Sequence, residues 1–354
     1  MRVIVLTPTF EGRDGLSCLS REMTRALAAI CPSAHIDVLS LGGSPGTVPV
    51  GGAVVSGCDG SRARLAARAI AAAARRPAVV LVLHTHLLPL ALPFVAAGAS
   101  LVHVLVGIES WRAFGALEAA ALARARAVLA ISAHTRARFQ AANARLAVPA
   151  VVVVHPAAPA PLAPIQRRPL PPGYALIVGR MAAGERYKGH DRLIAAWPRV
   201  LALVPGARLI VAGDGDDRAR LERRVRDVGL SDAIQFVGQV DDGTLAGLYG
   251  DAGLFVLPST DEGLGYVFLE AMQAGCACIG APGAAEEIIE PGVTGVIVAA
   301  DDLSALSDAV ARLLAEPDEA RAMGRAGRDR VEQYFTASRF EQDLAVALRP
   351  ALSC

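Results

Sequence analysis

The sequence predicts an α/β protein of two doubly wound parallel-sheet domains, and three features carry that expectation. Short apolar runs alternate with longer, Ala-rich helical stretches from one end to the other, the pattern of βαβ units whose sheet is covered on both faces. The run of Pro156, Pro159, Pro161, Pro164, Pro169, Pro171 and Pro172 has no apolar period and breaks the alternation, as a linker does. Charge changes sign there as well: residues 1–170 hold 17 arginines, no lysine and 7 acidic residues, a net of +10, while the remainder carries −9. With 354 residues, each half is long enough for a core of its own. The expected division is 1–168, joined by a last helix at 336–354, and 169–335.

In the first domain, strands are expected at 3–6, 36–39, 79–83, 101–106, 128–131 and 151–154. The first is too short for the core of a signal peptide and no cleavage site follows it. Residues 79–106 contain no Asp, Glu, Lys or Arg and raise the question of a membrane span. His84 and His86, Pro89 and Pro93, and Gly98-Ala99-Ser100 instead divide the segment into strand, helix and strand. Cys18, Cys31, Cys58, Cys276, Cys278 and Cys354 show neither Cys-x-x-Cys spacing nor a zinc pattern, so a reducing, cytoplasmic setting is expected. A helix at 61–76 sets Arg64, Arg68 and Arg75 on one face, and Arg124, Arg126, Arg136, Arg138 and Arg145 form a second basic group. Such faces are either solvated or drawn to the anionic inner face of a membrane, by about 1 kcal/mol per arginine near the surface. Nothing calls for a nucleic-acid partner.

In the second domain, a strand at 174–178 runs into Gly179-Arg180, and Lys188-Gly189 precedes a helical pattern through Leu193, Ile194, Trp197 and Val200. An arginine fork and a lysine point charge in a loop at the carboxyl end of a strand can hold a diphosphate. Farther on, a strand at 254–257 ends at Pro258-Ser259. Glu262-Gly263-Leu264-Gly265-Tyr266 then opens a helix that carries Glu270 and stops near Gly275. Amides at a helix start accept phosphate or sugar oxygens, and each carboxylate accepts two hydrogen bonds, which suits vicinal hydroxyls. Either carboxylate taken alone reads as an ordinary solvated Glu; it is their company that gives them meaning.

These elements, in this order, resemble the retaining glycosyltransferases of family 4, whose GT-B fold sets two facing Rossmann-like domains together with a C-terminal helix that crosses back to the first. The resemblance covers roughly residues 174–335 and includes Gly179-Arg180, Lys188-Gly189, Gly213-Asp214-Gly215, Phe236-Val237-Gly238, Leu257-Pro258-Ser259, Glu262 to Glu270 and Gly292-Val293-Thr294-Gly295. It implies that Arg180 and Lys188 neutralise the donor diphosphate, that Glu270 binds the ribose and Glu262 the transferred sugar, and that the amides of Gly263, Leu264, Gly265 and Tyr266 meet sugar or phosphate. Val237 and Gly238 would lie beside the base. The implied donor is a nucleoside diphosphate sugar and the acceptor a hydroxyl of a glycan or lipid-linked saccharide, with no cofactor and no metal. The chain departs from the family at Pro282-Gly283-Ala284-Ala285-Glu286, where Gly-Gly-x-Pro-Glu is common, so the role of Glu286 is open.

The acceptor side is less legible. After the first strand, Asp14-Gly15 stands where the family often has Gly-Gly, and Gly15 would let a ligand approach the helix start. The family's His before Gly-x-Glu is Val106 here, before Gly107-Ile108-Glu109, leaving Glu109, His84 or His86 to compensate. His103 is expected inside its strand as a structural residue. Retention would follow from attack on the face from which the diphosphate leaves, without an enzyme nucleophile. Rival readings are a nucleotide-sugar epimerase or phosphorylase of the same superfold, a nicotinamide oxidoreductase, and a catalytically silent sugar-nucleotide-binding protein. The oxidoreductase fails because Arg218 stands at the third glycine position after Gly213-Asp214-Gly215.

Overall fold

The computed structural model describes residues 1–162 and 173–352. The expected boundary at 168/169, the linker residues Pro164, Pro169, Pro171 and Pro172, and Cys354 lie outside the described residues. The chain forms two compact units, Met1–Ala157 with Phe335–Cys354, and Ala158–Tyr334.

The first unit is built on β1 (Arg2–Thr7), β2 (His35–Val50), β3 (Ala53–Gly57), β4 (Val79–Val82), β5 (Ser100–Leu105), β6 (Ala125–Ala130) and β7 (Val151–Val153), in spatial order β3-β2-β1-β4-β5-β6-β7. The four residues of β4 are all buried, and β1 and β5 are buried beyond their first residue. Helices on both faces remove the need for polar alternation. The last helix, Ala337–Leu352, packs on helix Gly15–Ile30 and on β5 and β6 through Phe340, Leu344 and Leu348. The segment between β4 and β5 is a 3-10 helix, Thr85–Ala91, followed by helix Leu92–Ala96. Among the described residues no helix is long and apolar enough to cross a membrane.

Two details differ from expectation. Strand β2 runs past residue 39 and folds back on β3, pairing Val48 with Val55 and Val50 with Ala53. Pro45, Pro49 and the glycines disguise this return as a loop; Gly51 and Gly52, at φ +53° and +84°, make it. The expected helix at 61–76 spans only Arg62–Ala73, capped by Ser61, whose hydroxyl accepts from the Arg64 amide. Arg64 and Arg68 stay on it, but Arg75 lies beyond its end, and Arg76 breaks the chain at φ +48°.

The second unit contains β8 (Tyr174–Val178), β9 (Leu209–Ala212), β10 (Ile234–Gly238), β11 (Ala252–Leu257), β12 (Ala277–Gly280) and β13 (Gly295–Ile297), in order β10-β9-β8-β11-β12-β13. All pairings along it are parallel. Each sheet therefore has one place where the chain reverses its direction of growth: between β1 and β4 in the first, between β8 and β11 in the second. Open α/β sheets bind ligands outside the carboxyl ends of the strands at this switch point.

Candidate active site

The residues singled out in the second unit gather at its switch point. Gly179 and Arg180 leave β8, and residues 258–265 leave β11, the strand beside it. Between Arg180 and helix His190–Leu203 lies a 3-10 turn, Ala183–Lys188. Lys188 Nζ donates to Glu262 Oε1 at 2.9 Å, with only 18% and 16% of the two side chains exposed. The ammonium also lies 5.5 Å from the Tyr187 ring centroid. Two motif residues separated by 74 positions thus form one partly desolvated ion pair, where charge interactions are stronger than in water.

The local backbone explains the glycines of both motifs. Gly189 has φ +88° and sits so close to Pro258 that a Cβ would lie 2.7 Å from its carbonyl oxygen. Arg192 bridges the same junction, donating to the carbonyls of Tyr187 and Pro258. Gly189→Ala is therefore expected to lose about 1–3 kcal/mol of stability, read as a lowered melting temperature; an unchanged transition would contradict this account of the junction. Gly265, at φ +96°, is the N-cap of helix Tyr266–Gln273 and leaves that helix start without a side-chain cap. A Cβ there would meet the Phe268 ring at 2.8 Å.

Arg180 is engaged by Glu185. Its guanidinium grips Glu185 with two hydrogen bonds of 2.9 and 2.5 Å, in an exposed position. Arg186 is held by Asp217, whose carboxylate also receives Arg220; the Arg220 hydrogen bonds, and then those of Arg186, bring the Asp217 carboxyl down to about 2. Glu270 is the fifth residue of its helix, and its Oε2 accepts from the Tyr249 hydroxyl at 2.9 Å. Burial raises the Glu270 carboxyl from 4.5 to about 7; the Tyr249 bond opposes the rise and Asp242 adds to it. Val237 and Gly238 end β10, where the register with β9 shifts between Phe236 and Gly238, and the Gly238 carbonyl accepts from Gly213. Glu286 Oε2 accepts from the Gly283 amide and is thereby tied to its own turn.

The switch point of the first unit collects the remaining residues. Gly15 is the first residue of its helix, but Asp14 Oδ1 already accepts from the amides of Leu16 and Ser17. An anion at this helix start would have to displace that carboxylate. His84 follows β4 and its Nδ1 accepts from the His86 amide at 3.3 Å; the two rings meet edge to face at 5.0 Å. Burial, and then the His86 charge, lowers His84 to about 4, so it is neutral at pH 7. Glu109 Oε1 accepts from the amides of Val106 and Gly107, and burial raises its carboxyl. His103 is fully buried in β5, its Nδ1 3.0 Å from the Val82 carbonyl. Of the three residues placed around Val106, His86 is the one with its side chain exposed.

Residues 164–330 match the family described as glycosyl transferases group 1. Over this segment the chain is similar to the group 1 glycosyl transferases. Over 201 residues it is 34% identical to the GDP-mannose-dependent alpha-(1-6)-phosphatidylinositol monomannoside mannosyltransferase of Mycobacterium tuberculosis, covering 51% of this chain and 52% of that protein. Over 165 residues it is 37% identical to glycogen synthase of the same organism, covering 46% and 39%. The chain thus spans about half or less of the curated relatives it matches. Among solved structures, sucrose-phosphate synthase from Thermosynechococcus elongatus superposes with a TM-score of 0.79 at 21% identity over 98% of both chains. Anabaena HepE in complex with UDP and glucose gives 0.75 at 18% identity, covering 98% of this chain and 99% of that one. Both likenesses are of fold, and that fold is GT-B.

The sequence alone does not reveal two partners of its motif residues, Glu185 and Tyr249. Glu185 lies inside the Gly-Arg to Lys-Gly loop, and an acid five residues after a phosphate-site arginine was a usable signal. Tyr249 reaches Glu270 from a different helix, Asp242–Asp251, and nothing in the local sequence marks it.

Proposed function

We propose that this chain transfers a hexose from a nucleoside diphosphate sugar to a hydroxyl acceptor of a glycan or lipid-linked saccharide, with retention and without a metal. The Lys188–Glu262 pair at the β8/β11 switch point supports this most strongly. It sets a cation for the leaving diphosphate beside a carboxylate for sugar hydroxyls, next to a helix start with no side-chain cap. The ammonium has three donors and Glu262 takes one, so a phosphate oxygen can be added without breaking the pair.

In the reaction, the acceptor oxygen bonds to the anomeric carbon as the bond to the diphosphate oxygen breaks, and the hydroxyl proton passes to the departing diphosphate. Lys188, Arg180 and the amides at Tyr266 meet the charge that grows on that leaving group. The carboxylates of Glu262 and Glu270 hold sugar and ribose and so fix the approach. Gly15, His84, His86 and Glu109 remain the acceptor-side group. GDP-mannose is the donor to try first, because relatives of 34–37% identity are GDP-mannose-dependent mannosyltransferases.

The test is transfer by the purified protein from GDP-mannose, with UDP-glucose in parallel, to lipid and glycan acceptors, the anomeric product being read by NMR. An α-linked product that persists in excess chelator is the expected result; release of free nucleotide without a glycoside, or loss of product on chelation, would refute the corresponding part. Glu185 competes with the diphosphate for Arg180. Glu185→Gln is therefore expected to lower the donor KM up to about fivefold, the worth of an exposed ion pair, with kcat unchanged. The basic first unit, with Arg64 and Arg68 on one helix, is proposed to touch anionic lipid. Sedimentation with phosphatidylglycerol vesicles that weakens with salt, and is absent with phosphatidylcholine, is the expected outcome.

A further inference from the structure

Glu270 is held from one side only. Its Oε2 takes the Tyr249 hydroxyl at 2.9 Å, and its Oε1 has no hydrogen-bond partner among the described residues. Tyr249 is 2% exposed, and its own helix is fastened at the same point by two further bonds. Tyr174 Oη donates to the Leu248 carbonyl at 2.8 Å, and Cys276 Sγ donates to the Tyr249 carbonyl at 3.0 Å. The ring leans on Phe255, whose ring in turn stands edge-on to Phe268 of the Glu270 helix. The phenol therefore has little freedom, and neither does the oxygen that it holds. Both side chains line a small cavity of about 70 Å³, together with Ala246, Gln273 and the chain at Pro161 and Leu162. A hydroxyl that only needed an acceptor in the core could have used a backbone carbonyl; this one is spent on a motif carboxylate.

We infer that Tyr249 is a positioning residue for the nucleotide: its O–H fixes Oε2 of Glu270 and leaves Oε1 aimed to receive the ribose hydroxyls. This rests on the reading of Glu270 as the ribose contact. A charge-assisted hydrogen bond of this kind orients the carboxylate and also favours its ionised form. The other groups facing it are few. Asp242, on the Tyr249 helix, opposes ionisation. Cys276 Sγ is turned to the Tyr249 carbonyl, and Arg328 donates to the Gln273 carbonyl. Among the described residues, Tyr249 is the one group facing Glu270 that lowers its carboxyl.

The experiment measures dissociation constants by calorimetry for GDP or UDP, whichever binds, and for its 2′,3′-dideoxy analogue, on the full chain from pH 6 to 8.5. The proteins are wild type, Tyr249→Phe, Glu270→Gln and the double variant, each checked for an unchanged melting cooperativity. Tyr249→Phe is expected to weaken the nucleotide about three- to tenfold near pH 7, the range of a hydrogen bond to a charged group only partly expressed. The loss should shrink toward pH 8.5, where Glu270 is ionised in either protein, and should vanish for the dideoxy analogue and in the Glu270→Gln background. Equal loss for nucleotide and analogue would make Tyr249 structural only and overturn the inference. So would wild-type affinity in Tyr249→Phe while the wild-type protein still discriminates against the analogue. If the wild-type protein binds nucleotide and analogue alike, the ribose role of Glu270 fails, and the inference falls with it.

Discussion

Lys188→Ala is expected to lower the rate of transfer by about 10²- to 10³-fold, the usual loss when one preorganised charge is withdrawn from a developing anion. Lys188 supplies that charge from a position only 18% exposed, where water cannot replace it fully. The substitution also strands Glu262, 16% exposed, without its partner, and that costs stability. The two effects separate in the double variant Lys188→Met/Glu262→Gln, which removes both charges and should regain stability while remaining inactive. A single variant of normal kcat, or a double variant that recovers activity, would show that Lys188 serves the fold and not the leaving group. Lys188→Arg is not expected to rescue fully, because the planar fork does not fit the space of a compact ammonium packed against Tyr187.

Glu270→Gln should stabilise the protein above neutral pH while weakening the nucleotide about tenfold or more. The sign follows from its carboxyl, which lies near 7 in the folded chain against the usual 4.5. A group raised on folding contributes its stability below the unfolded value, and that contribution disappears as pH rises through the folded one. The wild-type protein is thus expected to lose on the order of 2–3 kcal/mol between pH 4.5 and 8 from this residue, and Gln, which can still accept from Tyr249, does not. Melting curves across that range should converge at acid pH and separate at alkaline pH, with the variant higher. Binding moves the other way, because an amide nitrogen cannot accept a ribose hydroxyl. A variant that melts like wild type at pH 8 would place Glu270 in a more hydrated setting. The same carboxylate therefore costs stability where it serves recognition, which is common at functional sites.

Much of this was open to reading in the sequence. The inner strands of the second sheet are buried on both faces, so Tyr174–Val178 and Ala252–Leu257 declare themselves as apolar runs. The donor-side residues lie at strand ends bounded by glycine and proline, where local rules are strong. What escaped depended on contacts between distant segments. Glu185 on Arg180 and Tyr249 on Glu270 are tertiary facts, and the β2–β3 return hides behind prolines that ordinarily signal a loop. The helix expected at 61–76 exceeds the one that forms because Ala and Arg are both good helix formers; propensity gives no stop, and the break at Arg76 comes from its positive φ. The acceptor side is dim because His84 and Glu109 are tied to nearby backbone amides, and no fixed spacing announces such ties.

We propose that the β8/β11 switch point holds a nucleoside diphosphate, with phosphate on Arg180 and Lys188 and ribose on Glu270. Calorimetric titration of the full chain with GDP and UDP, repeated on Arg180→Ala and Lys188→Ala, decides this. Saturable binding of one nucleotide, weakened at least about tenfold in Lys188→Ala as expected for loss of a hydrogen-bonded charge, is the predicted result. Binding of equal strength in both variants, or no binding of either nucleotide by the folded wild-type protein, would contradict it.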